Sequence, residues 1–369
     1  PVDLIWNGGI GTYVKSSREL HSDVGDKAND AVRVNGGEVR ARVIGEGGNL
    51  GMTQLGRIEY ALKGGLCNTD FIDNAGGVDC SDHEVNIKIL LNDIVQNGDL
   101  TQKQRNQLLV EMTDEVAQLV LDNNYRQTQA ISIARSESVY RMGEYRRYIQ
   151  ALVASGKLDR DLEFIPGDEE LHERIVNGKG LMRPELAILL SYTKAILKDA
   201  LRDSSLPDDD YISREIEKAF PKVLAQRYKP QMLQHKLRRE IIATQVASGM
   251  VDYMGITFVY RMQDAAGSTV ADIARAFITA RDIFELDRWW QQIEELDHRV
   301  DASEQLEMMR MLIRLMRRAT RWVLRNNRCG VNVQDAIKRF QPGVEIVSES
   351  LPTVLRGPRR ELWESRHNR

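Results

Sequence analysis

Residues 74–78 read Asn-Ala-Gly-Gly-Val, and Ser81 and Glu84 follow shortly after them. A glycine pair lets the backbone approach a ligand closely, because no Cβ stands in the way. The Ser-x-x-Glu spacing predicts a capping box at the start of a helix, with Ser81 as its N-cap. The first amides of such a helix point toward a polar or anionic ligand. The segment is equally typical of a strand, a tight turn and a capped helix that bind no ligand.

Two earlier segments repeat this arrangement. Residues 39–44 form a β-rich run that leads into the glycine-rich residues 45–51, and Thr53 is a good N-cap for a short helix behind them. Residues 2–6 form an apolar run that leads into a loop containing Gly8 and Gly9. Strands that alternate with helices predict a parallel sheet. The loops at the carboxyl ends of parallel strands meet at one edge, so the sequence predicts a nucleotide-binding edge there.

The pattern becomes helical after Glu84. Apolar residues recur at helical intervals in seven stretches, which predict helices over residues 85–96, 101–123, 125–153, 184–201, 230–248, 270–284 and 302–325. We therefore expect an α/β part followed by an all-α part: the C-terminal portion of a Rossmann-like parallel sheet domain, then a large helical domain. The expected divisions are residues 1–98, a helical connector over 99–165, and a helical extension over 166–369.

The stretch over residues 302–325 carries two stripes. One stripe is apolar and is expected to pack in the core: Met308, Met309, Leu312, Leu315, Met316, Ala319 and Trp322. The pair Trp289 and Trp290, earlier in the sequence, is expected either to anchor a helix interface or to lie buried within the domain. The other stripe is basic: Arg310, Arg314, Arg317, Arg318, Arg321 and Arg325. A solvated face or an intersubunit salt-bridge surface explains the basic stripe better than nucleic-acid binding, because acidic residues flank it.

Composition narrows the class of protein. The 369 residues are 42% hydrophobic and carry a formal net charge of −3, which argues against bulk attraction to nucleic acid or to an anionic membrane. Three cysteines without paired spacing, Cys67, Cys80 and Cys329, indicate neither a disulfide framework nor a metal site. No signal peptide or apolar stretch long enough to span a bilayer is present, so a cytoplasmic location is expected.

Several of these segments resemble one enzyme family. Residues 45–49, Gly-Glu-Gly-Gly-Asn, are similar to the Glu-Gly-Ala-Asn segment of the glutamate dehydrogenase family, and residues 74–78 with Ser81 and Glu84 are similar to the segment that follows it. The longer string from Trp6-Asn-Gly-Gly-Ile-Gly-Thr-Tyr13 through Glu84 resembles the very long bacterial NAD-dependent members. Residues 183–190, Arg-Pro-Glu-Leu-Ala-Ile-Leu-Leu, resemble their C-terminal extension.

The resemblance implies roles for individual residues. It places Asn49 near the nicotinamide ribose and Asn74 near the nicotinamide amide of NAD. It places Val78 and Ser81 against the substrate side chain, L-glutamate or 2-oxoglutarate, with the Ser81 hydroxyl meeting the distal carboxylate. The remaining predicted cofactor contacts are the glycines of the two earlier loops: Gly8, Gly9, Gly47 and Gly48.

This chain departs from the family pattern at both of those loops. Shorter relatives have a Pro-Cys-Ala-like turn where residues 7–9 read Asn-Gly-Gly, which leaves the cofactor contacts of that loop open. Gly48 stands where the family has alanine, a small change that is expected to preserve close approach.

Other parts of the enzyme are not found in the sequence. The family uses a lysine and an aspartate of a preceding substrate domain, and no segment here resembles that domain. No Gly-x-Gly-x-x-Gly follows a first strand, although this is the motif that binds the pyrophosphate. We therefore assign no catalytic residue and expect the isolated chain to be inactive, as part of an enzyme that forms homo-oligomers. The alternative is a non-catalytic helical module for assembly or regulation, whose glycine loops serve only packing.

Overall fold

The computed structural model describes residues 2–326, 332–358, 360, 361 and 364, so Cys329 lies outside the described residues. Contacts divide the chain into two units, residues 1–261 and residues 262–369. Both units are mainly helical, and the β-structure of the described residues is confined to the first.

The first unit contains four short strands: β1 (Leu4–Asn7), β2 (Val14–Lys15), β3 (Val34–Asn35) and β4 (Val43–Glu46). β1 pairs with β4 in parallel, with Leu4 opposite Val43, and β2 pairs with β3 in parallel. The carboxyl ends of β1 and β4 therefore lie side by side. The prediction that the first two glycine loops share one edge of a parallel sheet is confirmed for this pair of strands.

The helices of the first unit are α1 (His21–Val24), α2 (Gln54–Leu62), α3 (Asp70–Asp73), α4 (Ala75–Gln96), α5 (Gln102–Glu111), α6 (Thr113–Glu137), α7 (Met142–Ala154), α8 (Asp168–Val176), α9 (Arg183–Arg202), α10 (Lys222–Arg227), α11 (Lys229–Met232) and α12 (Arg238–Met254). Short 3₁₀ segments lie at Lys27–Asn29, Gly36–Glu38, Leu206–Asp208 and Ile212–Ala219. A further helix, α13, spans Phe258–Ala266. The predicted break at residue 124 is wrong, since α6 runs through it.

The predicted N-cap of α2 is confirmed, because the Thr53 hydroxyl accepts a hydrogen bond from the Gly56 amide at 2.9 Å. The predicted N-cap at Ser81 is wrong. Helix α4 begins at Ala75, and Ser81 lies inside it, with its hydroxyl donating to the Gly77 carbonyl at 3.2 Å. No strand precedes Asn74 either, because residues 70–73 form α3.

Packing explains why glycines 76 and 77 stay helical. Each costs about 1 kcal/mol of helix propensity relative to alanine. This first part of α4 packs on α6, where the Asn123 side chain donates to the Asp79 carboxylate at 2.9 Å. Tertiary contacts therefore outweigh the local preference for a break.

The core of the first unit centres on α9 and α12, which make the most extensive helix contact in this unit. Leu186, Leu189 and Leu190 of α9 are fully buried. Arg174 of α8 and Glu185 of α9 form an ion pair at 2.8 Å, and both side chains are buried. A charged side chain is stable in such a buried position only because it is paired with the opposite charge.

The second unit contains α14 (Val270–Ile283), α15 (Leu286–Glu294), α16 (Ala302–Asn326) and α17 (Val333–Val354). α14 contacts each of the other three helices and buries Phe277. Trp290 is buried, whereas Trp289 is 45% exposed. The prediction that the apolar stripe of α16 is core holds for Met309 and Met316 but is wrong for Leu315 and Trp322, which are exposed.

Within the described residues, no helix has both the length and the apolar character needed to cross a bilayer. The same part of the chain contains no cluster of histidine, cysteine or carboxylate side chains arranged to hold a metal ion.

Candidate functional site

The loops that follow β1 and β4 pack directly on one another. The Gly48 amide donates to the Asn7 carbonyl at 2.9 Å. A Cβ at Gly48 would lie 2.2 Å from the Gly9 carbonyl oxygen, which no real side chain tolerates. The two departures from the family pattern noted above, at residues 7–9 and at Gly48, are therefore in contact with each other. Glycine at 48 is required by this close packing, whatever the loop binds.

Gly47 and Gly45 have a different neighbour. A Cβ at either position would lie 2.6 Å from the ring of Trp6. The indole of Trp6, itself 62% exposed, therefore lies against the backbone of the β4 end. These glycines shape the edge of the strand pair, while Gly8 and Gly9 remain exposed beside it.

Three charged side chains hold the loop after β4, and we call Glu46, Arg57 and Asp70 the loop clamp. Arg57 donates to both oxygens of Glu46, at 2.7 and 2.9 Å, and lies 3.1 Å from an oxygen of Asp70. Glu46 also accepts a hydrogen bond from the Met52 amide at 2.9 Å, so its side chain bridges the two ends of the loop. Burial raises the pKa of Glu46 despite the hydrogen bonds from Arg57, which lower it.

The clamp also fixes an unusual backbone conformation. Leu50 has φ +54°, a left-handed conformation that costs a non-glycine residue about 1–2 kcal/mol. Its amide donates to Asp70 at 2.8 Å, and its carbonyl accepts the Thr12 hydroxyl at 2.6 Å. These bonds set the direction of the preceding residue, Asn49.

Asn49 and Asn74, which are expected near the nicotinamide ribose and the nicotinamide amide respectively, contact each other. The Asn74 Nδ2 donates to the Asn49 Oδ1 at 2.7 Å. Asn74 occupies the N-cap position of α4, but its side chain makes no capping bond. The interaction between the two amides therefore joins the glycine loop to the start of α4.

Both asparagines line a cleft of about 700 Å³ within the first unit. Phe71 and Val78 continue the same wall, and α6 supplies Asn123 and Gln127. Helices α9 and α12 also line the cleft, with these polar or charged residues: Lys194, Glu240, Thr244, Gln245, Ser248 and Asp252. The structure thus brings Asn49, Asn74 and Val78 together at one cleft.

The other predicted site residues lie outside the lining of this cleft. Ser81 is exposed on α4, one turn beyond Val78, and Gly8, Gly9, Gly47 and Gly48 lie at the edge of the strand pair. Ser81 and Val78 are three residues apart on a helix, so they share a face. Beyond Val78, the α4 residues that line the cleft are Asp79, Asp82, His83 and Asn86.

One partly buried ion pair lies in the wall of the cleft. The Lys194 Nζ lies 2.7 Å from the Asp252 carboxylate, and it joins α9 to α12. Burial raises the pKa of Asp252, and the contact with Lys194 opposes that shift. His83 of α4 also lines the cleft, and its Nδ1 lies 3.0 Å from the Ala219 carbonyl, which fixes the ring.

Arg183 connects the C-terminal stretch to the glycine loop. Its Nε donates to Asn68 Oδ1 at 2.8 Å, and its Nη1 donates to Ser132 at 2.8 Å. Asn68 in turn donates to Asp73 at 2.7 Å, and Asp73 accepts the Glu46 amide at 3.0 Å. Sequence reasoning singled out the Arg183-Pro-Glu motif only as part of a resemblance. Its position just before an apolar helical stretch gave no signal of these partners.

Comparisons with known proteins match the chain in two parts. Residues 1–134 match the family model described as the catalytic domain of bacterial NAD-glutamate dehydrogenase, and residues 178–369 match the one described as the C-terminal part of glutamate dehydrogenase. Proteins named NAD-specific glutamate dehydrogenase are 57% identical over 367 residues in Pseudomonas aeruginosa, 56% over 365 in Halomonas elongata and 42% over 364 in Mycobacterium tuberculosis.

The alignments cover 100%, 99% and 99% of this chain but only 23%, 23% and 22% of the respective relatives. The chain thus corresponds to about a quarter of the length of these proteins. The expected resemblance is confirmed along nearly its whole length, across the glycine loops, the cleft and both helical units. The chain belongs to the family of bacterial NAD-specific glutamate dehydrogenases.

Proposed function

We propose that the full-length protein oxidatively deaminates L-glutamate to 2-oxoglutarate and ammonia with NAD, and that this chain forms one side of its active cleft. The contact between Asn49 and Asn74 at the cleft carries the proposal, because the residues assigned by resemblance to the nicotinamide ribose and the nicotinamide amide are joined there. In this proposal residues 1–98 are the C-terminal portion of the Rossmann-like nucleotide-binding domain. Residues 99–165 form a helical connector, and residues 166–369 form an all-helical C-terminal extension.

The two asparagines suit the nicotinamide end of NAD. Their mutual hydrogen bond uses Asn74 Nδ2 and Asn49 Oδ1. Asn74 Oδ1 then remains as an acceptor for the carboxamide, and Asn49 Nδ2 remains as a donor for the ribose hydroxyls. Because the loop clamp and Asp73 hold both segments, these groups are oriented before a ligand arrives.

The exposed face of α4 suits glutamate. Val78 is 68% exposed and offers an apolar contact for the methylene groups of the substrate. The Ser81 hydroxyl, whose bond to the Gly77 carbonyl is local and exposed, can turn to donate to the distal carboxylate. A hydrogen bond to a charged group contributes about 1.5–3 kcal/mol.

NAD, when bound, accepts the hydride from the substrate. The described cleft supplies orientation for that step, and the proton transfers belong to the lysine and aspartate that the family carries in another domain. Groups that act as a unit lose many orders of magnitude in rate when essential members are removed. The 369-residue chain alone is therefore inactive in this proposal.

The proposal is tested by following NADH formation at saturating NAD with the full-length protein and with the 369-residue chain. We expect turnover of L-glutamate by the full-length protein, none by the chain alone, and far less with L-aspartate or L-leucine. A full-length protein that forms no NADH from glutamate, or a chain that matches it in rate, contradicts the proposal.

A further inference from the structure

Helix α16 exposes a long apolar face in the second unit. Met311 and Leu315 are each 42% exposed and Trp322 is 47% exposed. Beside the first of these lies a groove of about 440 Å³ between α15 and α16, lined by Trp289, Gln292, Ile293, Leu296, Met308, Met311 and Leu312. Residues 308, 311, 315, 318 and 322 alternate at spacings of three and four, so they form one stripe of the helix, as in a coiled-coil seam.

The same face is strongly basic. Arg318, Arg321 and Arg325 are exposed, and they make no ion pair with any residue in the described ranges. Arg314 differs, because it pairs with Glu307 at 2.7 Å on its own helix. Three guanidinium groups beside Leu315 and Trp322 are thus available to acidic groups from outside this face.

Helix α17 exposes a face of the opposite charge. Ile346, Val347 and Val354 are each more than 60% exposed, and Leu351 is 40% exposed. Val347, Leu351 and Val354 recur at intervals of four and three, with Ile346 beside the first of them, and the exposed carboxylates of Glu345 and Glu349 flank them. Residues 340–354 contain no lysine or arginine. Over residues 345–354 the face is therefore apolar and acidic.

We propose that the α17 face of a second copy of this chain docks on the α16 face of the first, and the reverse, in a two-fold symmetric dimer. Each face has what the other requires, namely apolar residues at helical spacing and charge of the opposite sign that forms no ion pair within the described ranges. A two-fold axis uses the complementary pair twice, since the contact of α16 with α17 is repeated in the other direction. Tryptophan, methionine and arginine are the residues enriched in such interfaces.

This surface does not depend on the catalytic proposal. The residues that form it lie in the second unit, and those that line the cleft lie in the first. Its test reads molecular mass rather than NADH formation, so either proposal can fail without the other.

Charge exchange in the full-length protein tests the pairing. One variant carries Arg318→Glu and Arg321→Glu, the second carries Glu345→Arg and Glu349→Arg, and the third carries all four changes. We expect sedimentation velocity to show at least a twofold lower mass for each of the first two variants. We expect the fourfold variant to recover the wild-type mass, because its exchanged charges are again complementary.

A matched control is Lys103→Glu, a charge reversal at an exposed position of α5 in the first unit, which we expect to leave the mass unchanged. Recovery in the fourfold variant also shows that the changed residues permit folding. Wild-type mass in either of the first two variants overturns the proposal. Loss of mass without recovery in the fourfold variant also overturns it, since the two faces then bind another protein or other segments of the full-length chain.

Discussion

Replacing Arg57 with methionine removes the only cation of the loop clamp and leaves an apolar side chain of comparable length. Arg57 is 4% exposed and Glu46 is fully buried. The change removes two hydrogen bonds to Glu46, at 2.7 and 2.9 Å, and a contact to Asp70 at 3.1 Å. The Met52 amide then remains as a donor to Glu46.

The expected cost follows from that burial. Removing one partner of a buried ion pair costs about 3–5 kcal/mol, because the other charge stays buried without compensation. At 1.36 kcal/mol per factor of ten, the loop opens roughly 100- to 5,000-fold more often. Glu46→Gln combined with Arg57→Met removes both charges, so we expect it to recover most of that loss.

The loss depends on pH with a definite sign. Burial already raises the pKa of Glu46, and removing Arg57 raises it further. A carboxyl with a raised pKa in the folded state contributes stability that is present below its unfolded pKa, about 4.3, and is lost as pH rises through the folded value. The cost of Arg57→Met is therefore larger at pH 8 than at pH 5.

Hydrogen–deuterium exchange of the full-length protein measures this opening locally. Peptides covering residues 43–62 should exchange faster in Arg57→Met than in the wild type at the same pH, and the difference should shrink at pH 5. Peptides covering α14, in the second unit, should be unchanged and serve as the control. Unchanged exchange over residues 43–62 at pH 8, or no recovery in the double variant, would refute the reasoning.

Two other substitutions test single residues of the site. Ser81→Ala in the full-length protein should lower kcat/KM for glutamate roughly 10- to 100-fold, for the loss of about 1.5–3 kcal/mol, and leave the melting temperature unchanged or higher. The control is Ser350→Ala, which removes a similar hydrogen bond to a carbonyl one turn back and should change neither kcat/KM nor the melting temperature. Wild-type kinetics in Ser81→Ala would show that Ser81 has no role in substrate binding. Leu50→Asn should slow amide exchange over residues 46–53 by up to about tenfold, since asparagine tolerates the left-handed conformation. The control is Leu121→Asn, because Leu121 is also 63% exposed but lies inside α6, where asparagine should destabilise the helix. Faster exchange over residues 46–53 in Leu50→Asn would show that the left-handed conformation of Leu50 carries no strain.

Local patterns predicted the elements whose signals are local. The glycine loops after two apolar runs predicted the parallel pairing of β1 with β4, and Thr53 predicted the start of α2. The same reasoning was wrong at Ser81, where a capping pattern lies inside a helix. The packing of α4 on α6 decides that boundary, and no pattern within residues 74–84 reports it.

The walls of the cleft were beyond local patterns for a similar reason. Asn49, Asn74 and Val78 were assigned to the site by resemblance, from two motifs that lie within thirty-five residues of each other. Other residues that line the cleft, such as Lys194 and Asp252, are more than a hundred residues away in sequence and form an ion pair between two helices. Tertiary packing determines such partners, whereas the sequence alone predicts that a single charged residue on a helix is exposed to solvent.

Arg57 and Arg183 were missed for a related reason. A lone arginine in a helical stretch is usually exposed. Only the fold shows that Arg57 is buried against two carboxylates and that Arg183 is half-buried and bonded to Asn68 and Ser132.

Binding of NAD to the full-length protein and its Asn74→Ala variant tests the central claim most directly. Asn74 makes no capping bond, so its loss should not weaken α4 itself. Asn92→Ala, at an exposed position of the same helix that does not line the cleft, is the matched control. By titration calorimetry we expect Kd for NAD to rise roughly tenfold in Asn74→Ala, for the loss of about 1–2 kcal/mol, and to stay unchanged in Asn92→Ala. Wild-type affinity for NAD in Asn74→Ala would contradict the assignment of this cleft to the nicotinamide.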